Sequence, residues 1–161
     1  MSRPTETRLG IDLGGTNTNL VLLSGSDNRL LDTRNAPTGD HSDPGSLLDR
    51  VAELARELLD EHGIRPAELR SAGIGAPGEV EPETGIFRSS PIFPTWRAVR
   101  IVDEFEARLG LRMILDNDAN AAAWGEARIG AGRGFDPLLV LTLGTGIGGA
   151  VIVGGELLRG H

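Results

Sequence analysis

Gly10-Ile11-Asp12-Leu13-Gly14-Gly15-Thr16-Asn17 leads into Leu20-Val21-Leu22-Leu23, and Val140-Leu141-Thr142-Leu143-Gly144-Thr145-Gly146-Ile147 leads into Ala150-Val151-Ile152-Val153. Each stretch is an apolar run, a Gly/Thr turn and a second apolar run, which is the pattern of a β-hairpin whose turn comes close to something. The two copies stand 130 residues apart. Read as the openings of two similar halves, they divide the chain into a first unit at residues 1–134 and the start of a second at residues 135–161, the second cut short. The second hairpin then leaves residues 138–143 and 150–153 as an exposed apolar edge.

Between the hairpins the signals alternate. Residues 29–36 read as a third strand, and Ser42-Asp43-Pro44 starts a helix with Pro in its first turn. Leu47, Val51, Leu54, Ala55 and Leu58 then recur on one helical face until Gly63. Residues 71–76 read as a small-residue strand ending in the Pro77-Gly78 turn, and residues 79–94 carry no clear period. A helix is predicted over residues 96–109, stopped by Gly110, then a strand over 111–115, then a helix from near Asp118 to Gly130. Strands alternating with helices imply an α/β layer structure with ligand chemistry at strand ends.

Composition removes whole classes of chemistry. The chain of 161 residues holds 16 basic and 23 acidic side chains, a net charge of −7, which argues against a nucleic-acid surface or a polybasic membrane anchor. There is no Cys, so disulfides, thiolate nucleophiles and Cys-bound zinc are excluded within it. Every basic residue is Arg, which also excludes Schiff-base chemistry and the lysine-dependent P-loop. Residues 1–8 lack the apolar run of a signal peptide. The uncharged segment 137–155 is interrupted by Gly and Thr and reads as strands rather than a membrane span. A cytoplasmic protein is expected.

The glycines of the first loop let backbone N–H groups face an anion, Thr16 adds a hydroxyl, and Asp12 can hold a hydrated cation; a tight hairpin turn with an incidental Asp is the plainer reading. Gly144-Thr145-Gly146 has the same character without an acidic residue, so it can grip a nucleotide phosphate without repelling it. In Asp116-Asn117-Asp118-Ala119-Asn120 a strand becomes a helix, so Asp118 is predicted to cap the helix and stay ionised at its N-terminus. An adjacent Asn and Asp also offer a sugar hydroxyl a hydrogen-bond partner and a proton acceptor. In phosphoryl transfer positioning and charge stabilisation matter more than basicity.

Asp12-Leu13-Gly14-Gly15-Thr16-Asn17, Gly73-Ile74-Gly75-Ala76-Pro77-Gly78, Leu115-Asp116-Asn117-Asp118-Ala119-Asn120-Ala121-Ala122 and Leu143-Gly144-Thr145-Gly146-Ile147-Gly148-Gly149 resemble, in order, the successive motifs of ROK-family sugar kinases. The resemblance covers nearly the whole chain. It implies the actin-like, sugar kinase and Hsp70-type ATPase fold, with two RNase H-like domains around an ATP cleft; the chain then supplies a complete first domain and the opening hairpin of the second. It implies Asp118 as the base for a hexose hydroxyl, most readily the 6-hydroxyl of glucose, with Asn117 and Gly78 at the sugar. It further implies Gly14, Gly15, Thr16, Asn17, Gly144, Thr145 and Gly146 at the ATP phosphates and Asp12 near Mg²⁺. For the longer protein a homodimer is expected.

Departures from the family pattern are specific. Pro91-Ile92-Phe93-Pro94-Thr95-Trp96 stands where the family usually has a Pro-Asn-Leu-Pro-Gly-Trp-like run, and Ile92 offers no hydrogen bond, which leaves the hexose open. The family's Gly-His pair and Cys-rich zinc segment lie further on, so structural zinc is expected only beyond this chain, and His161 is not assigned as a ligand. Eight residues precede Leu9, too few for the helix-turn-helix of the family's repressors. A non-catalytic sugar- or nucleotide-binding regulator of the same fold is the alternative. A Rossmann dehydrogenase is disfavoured because no G-x-G-x-x-G follows the first strand with an acidic residue about 20 positions on.

Overall fold

The structure is a computed structural model that describes residues 6–25, 27–144 and 146–159. Three strands open the chain as an antiparallel meander, β1 (Arg8–Leu13), β2 (Asn17–Ser24) and β3 (Arg29–Pro37). Helix α1 (Pro44–Glu61), β4 (Ser71–Ala76), the small hairpin β5 (Glu79–Glu81) and β6 (Ile86–Ser89), α2 (Ile101–Leu109), β7 (Ile114–Asn117) and α3 (Asp118–Ile129) follow. β8 (Leu138–Leu143), β9 (Ile147–Val153) and β10 (Glu156–Leu157) end the described chain. The main sheet runs β3-β2-β1-β4-β7, with β1, β4 and β7 parallel, and β10-β9-β8 form a separate antiparallel sheet. No helix among the described residues is long and apolar enough to cross a membrane.

Alternation along the strands decides which face is dry. Leu9, Ile11 and Leu13 on β1 and Leu20 and Leu22 on β2 are buried together, whereas Gly10 and Asp12 point to the opposite face. The buried face is covered by α1, through Leu47, Leu48, Val51, Ala55, Leu58 and Leu59, and by Ile101, Val102, Phe105 and Leu109 of α2. α1 begins where its sequence signal lies: Asp43 is the N-cap, its carboxylate accepting the Ser46 N–H at 2.8 Å, and Pro44 fits the first turn. α3 occupies the other face beside Gly75, where a Cβ would lie 3.3 Å from the Asp118 Cα and 3.5 Å from the Ala121 Cβ. That glycine lets the helix settle on the sheet.

Several sequence expectations shift. Residues 79–94, expected to be irregular, contain the β5–β6 hairpin, whose strands are too short to show a period. The helix predicted from residue 96 starts at Ile101. Trp96 turns inward instead, donating its indole N–H to the His41 carbonyl at 2.8 Å and stacking on Phe93 at 4.8 Å, while Val99 bridges to Phe87. Burial of a large aromatic outweighs a few tenths of a kcal/mol of helix propensity. The strand predicted at 111–115 lies at Ile114–Asn117, because Leu111 and Met113 pack in the core and pairing with β4 begins at Gly73 opposite Ile114. In the second hairpin the exposed large apolar residues are Leu139, Leu141, Leu143, Ile147 and Val153, while Ala150 and Ile152 on the other face are buried against α3.

Candidate active site at the strand ends

Asp12 pairs with Gly75 across β1 and β4, and Gly75 with Asp116 across β4 and β7. The three parallel strands therefore finish side by side, and each delivers one motif beyond its end: Gly14-Gly15-Thr16 after β1, Pro77-Gly78 after β4 and the Asn117-Asp118 corner at β7. Ligands of open α/β sheets gather at these carboxyl ends.

The β7–α3 corner is built around one amide. Asn117, with extended backbone (φ −65°, ψ 144°), is the helix cap: its Oδ1 accepts the N–H groups of Ala119 at 2.9 Å and Asn120 at 3.2 Å. Its Nδ2 donates to the Gly78 carbonyl at 3.1 Å, tying the β4 turn to the helix start. This corrects the expectation that Asp118 is the cap. Asp118 is already the first helical residue, half-buried, with Oδ1 accepting the Ala119 N–H at 2.8 Å. Its carboxylate thus sits in the helix's first turn, where the dipole favours negative charge. Gly78 has φ +99°, and a Cβ there would lie 2.7 Å from that of Ser90, so no side chain fits.

Asp116, just before this corner, is mostly buried. Its Oδ1 accepts the Asn117 N–H at 2.8 Å and the Asn120 amide at 3.1 Å, and Arg159 grips both oxygens, at 3.1 and 2.6 Å. Burial pushes its carboxyl upward, but the Arg159 guanidinium, Asn120 and the Asn117 N–H together outweigh it and hold the group below its ordinary value.

The first glycine loop is fastened from behind by Thr38. The buried Thr38 hydroxyl donates to the Gly14 carbonyl at 2.6 Å and lies 3.0 Å from the Thr18 hydroxyl, and its N–H donates to the Thr16 carbonyl at 2.8 Å. A Cβ on Gly14 would come within 2.5 Å of the Asn17 carbonyl oxygen, and one on Gly15 would collide with Ile92 Cγ2. Thr16 and Asn17 are exposed. In the second loop Gly144 and Gly146 are exposed, with the Gly144 N–H donating to the Gly146 carbonyl at 3.0 Å; Thr145 lies outside the described residues. A Cβ on Gly148 would lie 3.0 Å from that of Ala119, so the second hairpin sits against the first turn of α3.

Gly78, Asn117 and Asp118 are thus brought to one corner. Asp12 stands apart from it, two strands from Asp116 and so about 10 Å away across the sheet. A cleft of about 880 Å³ runs beside that row, with Asp12, Asn19, Gly75, Asp116, Trp124 and Arg159 in its walls. Asp12 is exposed, and its Oδ2 accepts the Asn19 amide at 3.0 Å. No cluster of three or more His, Asp or Glu suited to a metal occurs among the described residues. One accessible carboxylate fits Mg²⁺, which keeps most of its waters and leans on substrate phosphates; it does not fit a zinc cage. His161 lies outside the described residues.

Sequence reading missed Thr38, Arg159 and the contact of Ile92 with Gly15. Ile92 was visible as a departure from a motif; nothing marked the other two, because their roles arise from residues 24 and 43 positions away.

The chain is 42% identical over 153 residues to a glucokinase of Thermotoga maritima, covering 95% of this chain and 46% of that protein. Among solved structures it resembles a ROK family glucokinase from Streptomyces griseus in complex with glucose and AMPPNP, at 34% identity and TM-score 0.83, covering 96% of this chain and 47% of that one. It also resembles an inorganic polyphosphate/ATP-glucomannokinase from an Arthrobacter strain, at 32% identity and TM-score 0.85, covering 97% and 62%. The chain spans about half the length of the curated relatives it matches. With the ROK family profile matching residues 8–161 and the strand-end architecture shared with these kinases, the chain belongs to the ROK family and has its actin-like sugar kinase fold.

Proposed function

We propose that the full-length protein transfers the γ-phosphoryl group of ATP to a hexose hydroxyl, with the 6-hydroxyl of glucose as the first choice, and that Asp118 is the base. The observation that carries this reading is the corner where Asn117 joins the Gly78 turn to the start of α3 and so fixes the Asp118 carboxylate at the end of a parallel strand. The hydroxyl gives its proton to Asp118, its oxygen bonds the γ-phosphorus, and the bond from phosphorus to the β–γ bridging oxygen breaks, releasing ADP. Asn117 and the Gly78 turn orient the sugar. The N–H groups of Gly14, Gly15, Thr16 and Asn17, with the second loop at Gly144, Thr145 and Gly146, hold phosphates. Asp12 would hold Mg²⁺ through water, and the ion would supply neutralising charge at those phosphates.

The division into units at residues 1–134 and 135–161, a homodimer and a cytoplasmic location belong to the same reading. The hexose is set in part by Ile92, an apolar residue beside the first loop. A coupled ADP-release assay of the full-length protein over glucose, mannose, fructose and N-acetylhexosamines tests the proposal. The expected result is ATP-dependent turnover with the highest kcat/KM on glucose. Absence of turnover on all of them overturns it in favour of a sugar- or nucleotide-binding regulator.

A further inference from the structure

Arg159 follows β10, and Asp116 lies in β7 one residue before the Asn117 cap. Their two parallel N–H to oxygen bonds, at 3.1 and 2.6 Å, join the three-stranded sheet to the five-stranded one. Paired forks of this kind fix orientation as well as distance. Asp116 is the more enclosed partner, with its side chain 18% exposed against 44% for Arg159. The same carboxylate accepts from the Asn117 N–H and from the Asn120 amide in the first turn of α3, so its position bears on the residue before Asp118 and on the one two positions after it. Glu83, on the turn between β5 and β6, adds a second negative charge felt by Arg159. In the same helix turn, Gly148 of β9 lies close to Ala119. The second sheet therefore meets the α3 start at two points, by a small-residue contact at Gly148 and by an ionic clamp at Arg159.

We propose that Arg159 is a positioning residue: by clamping Asp116 it latches the second sheet to the end of β7 and fixes the Asn117-Asp118 corner in its working orientation. The proposal rests on the kinase reading for its effect on turnover, and on geometry alone for the latch. Without Arg159, Asp116 keeps its bonds to Asn117 and Asn120 but loses its tie to the second sheet, so the corner and the second glycine loop can move relative to each other. A displacement of the order of an ångström at a reacting group is enough to cost one to two powers of ten in rate.

The test uses the full-length protein with Arg159→Met and Arg159→Lys, read by kcat, the KM for ATP and for the sugar, melting temperature, and hydrogen exchange at the Leu158 amide. That amide is bonded to the Val151 carbonyl at 2.8 Å and lies next to the clamp. In Arg159→Met, kcat is expected to fall about tenfold or more with the KM for ATP within about twofold, and Leu158 exchange to speed up about tenfold. Arg159→Lys, which keeps the charge but not the fork, is expected to recover part of the lost kcat. A residue that only stabilises the fold would lower the melting temperature and leave kcat unchanged well below it. If the wild type turns over and Arg159→Met keeps kcat within about twofold, the positioning role is overturned. If the wild type turns over no sugar, the kinase reading has failed separately, and the latch stands or falls on the exchange data: faster exchange at Leu158 supports it, and unchanged exchange overturns it.

Discussion

Two side chains share the β7–α3 corner, and their tasks separate cleanly. Asn117 makes the cap and the link to Gly78, and Asp118 accepts the Ala119 N–H. Asp118→Asn should therefore leave the helix start intact, since an amide oxygen accepts that bond as well, while removing the carboxylate proposed to take the proton. The expected outcome in the full-length enzyme, at saturating ATP and sugar, is a loss of kcat of about 10²-fold or more with little change in melting temperature. Unchanged kcat would remove Asp118 from the reaction. The Asn-Asp pair itself was legible, because a strand end followed by a polar run and alanines announces a helix start. Which of the two caps it was not, since both types cap about equally well and only the backbone angles at residue 117 decide.

At the scale of elements, β1, β3, α1 and β4 were read to within a residue or two, because alternation, the Asp43-Pro44 start and the Pro77-Gly78 turn act locally. The elements misplaced are those whose ends are set from a distance. Trp96 leaves a helical pattern to reach the His41 carbonyl, and the start of β7 follows the ladder with β4 rather than the first apolar residue. The fastening of the β1–β2 loop was invisible for the same reason, since Thr38 lies beyond β3 and meets Gly14 only after the meander has folded. Thr38→Val should leave the Gly14 carbonyl and the Thr18 hydroxyl without this partner and cost about 1–3 kcal/mol. The same loosening should raise the KM for ATP. Denaturant unfolding and steady-state kinetics check the two effects, and a variant as stable as wild type would show that water replaces the hydroxyl at no cost.

Across the whole molecule, the second sheet leaves Leu141 62% exposed and Leu143 and Ile147 each 80% exposed on one face. Apolar patches of this kind favour association. The 161-residue chain by itself is expected to associate with rising concentration in sedimentation velocity and to show no ATP-dependent phosphorylation of a hexose. Robust turnover by that chain would show that these residues suffice for catalysis. Gly15 and Ile92 join loops 77 positions apart in sequence, and their contact imposes an order on change. A side chain at residue 15 has nowhere to go until residue 92 has become smaller, whereas residue 92 can shrink at any time and leave only a gap. Substitutions at this pair are therefore expected to be tolerated in one order only: the loop at residue 92 can change first, and the loop at residue 15 gains its freedom only as an inheritance.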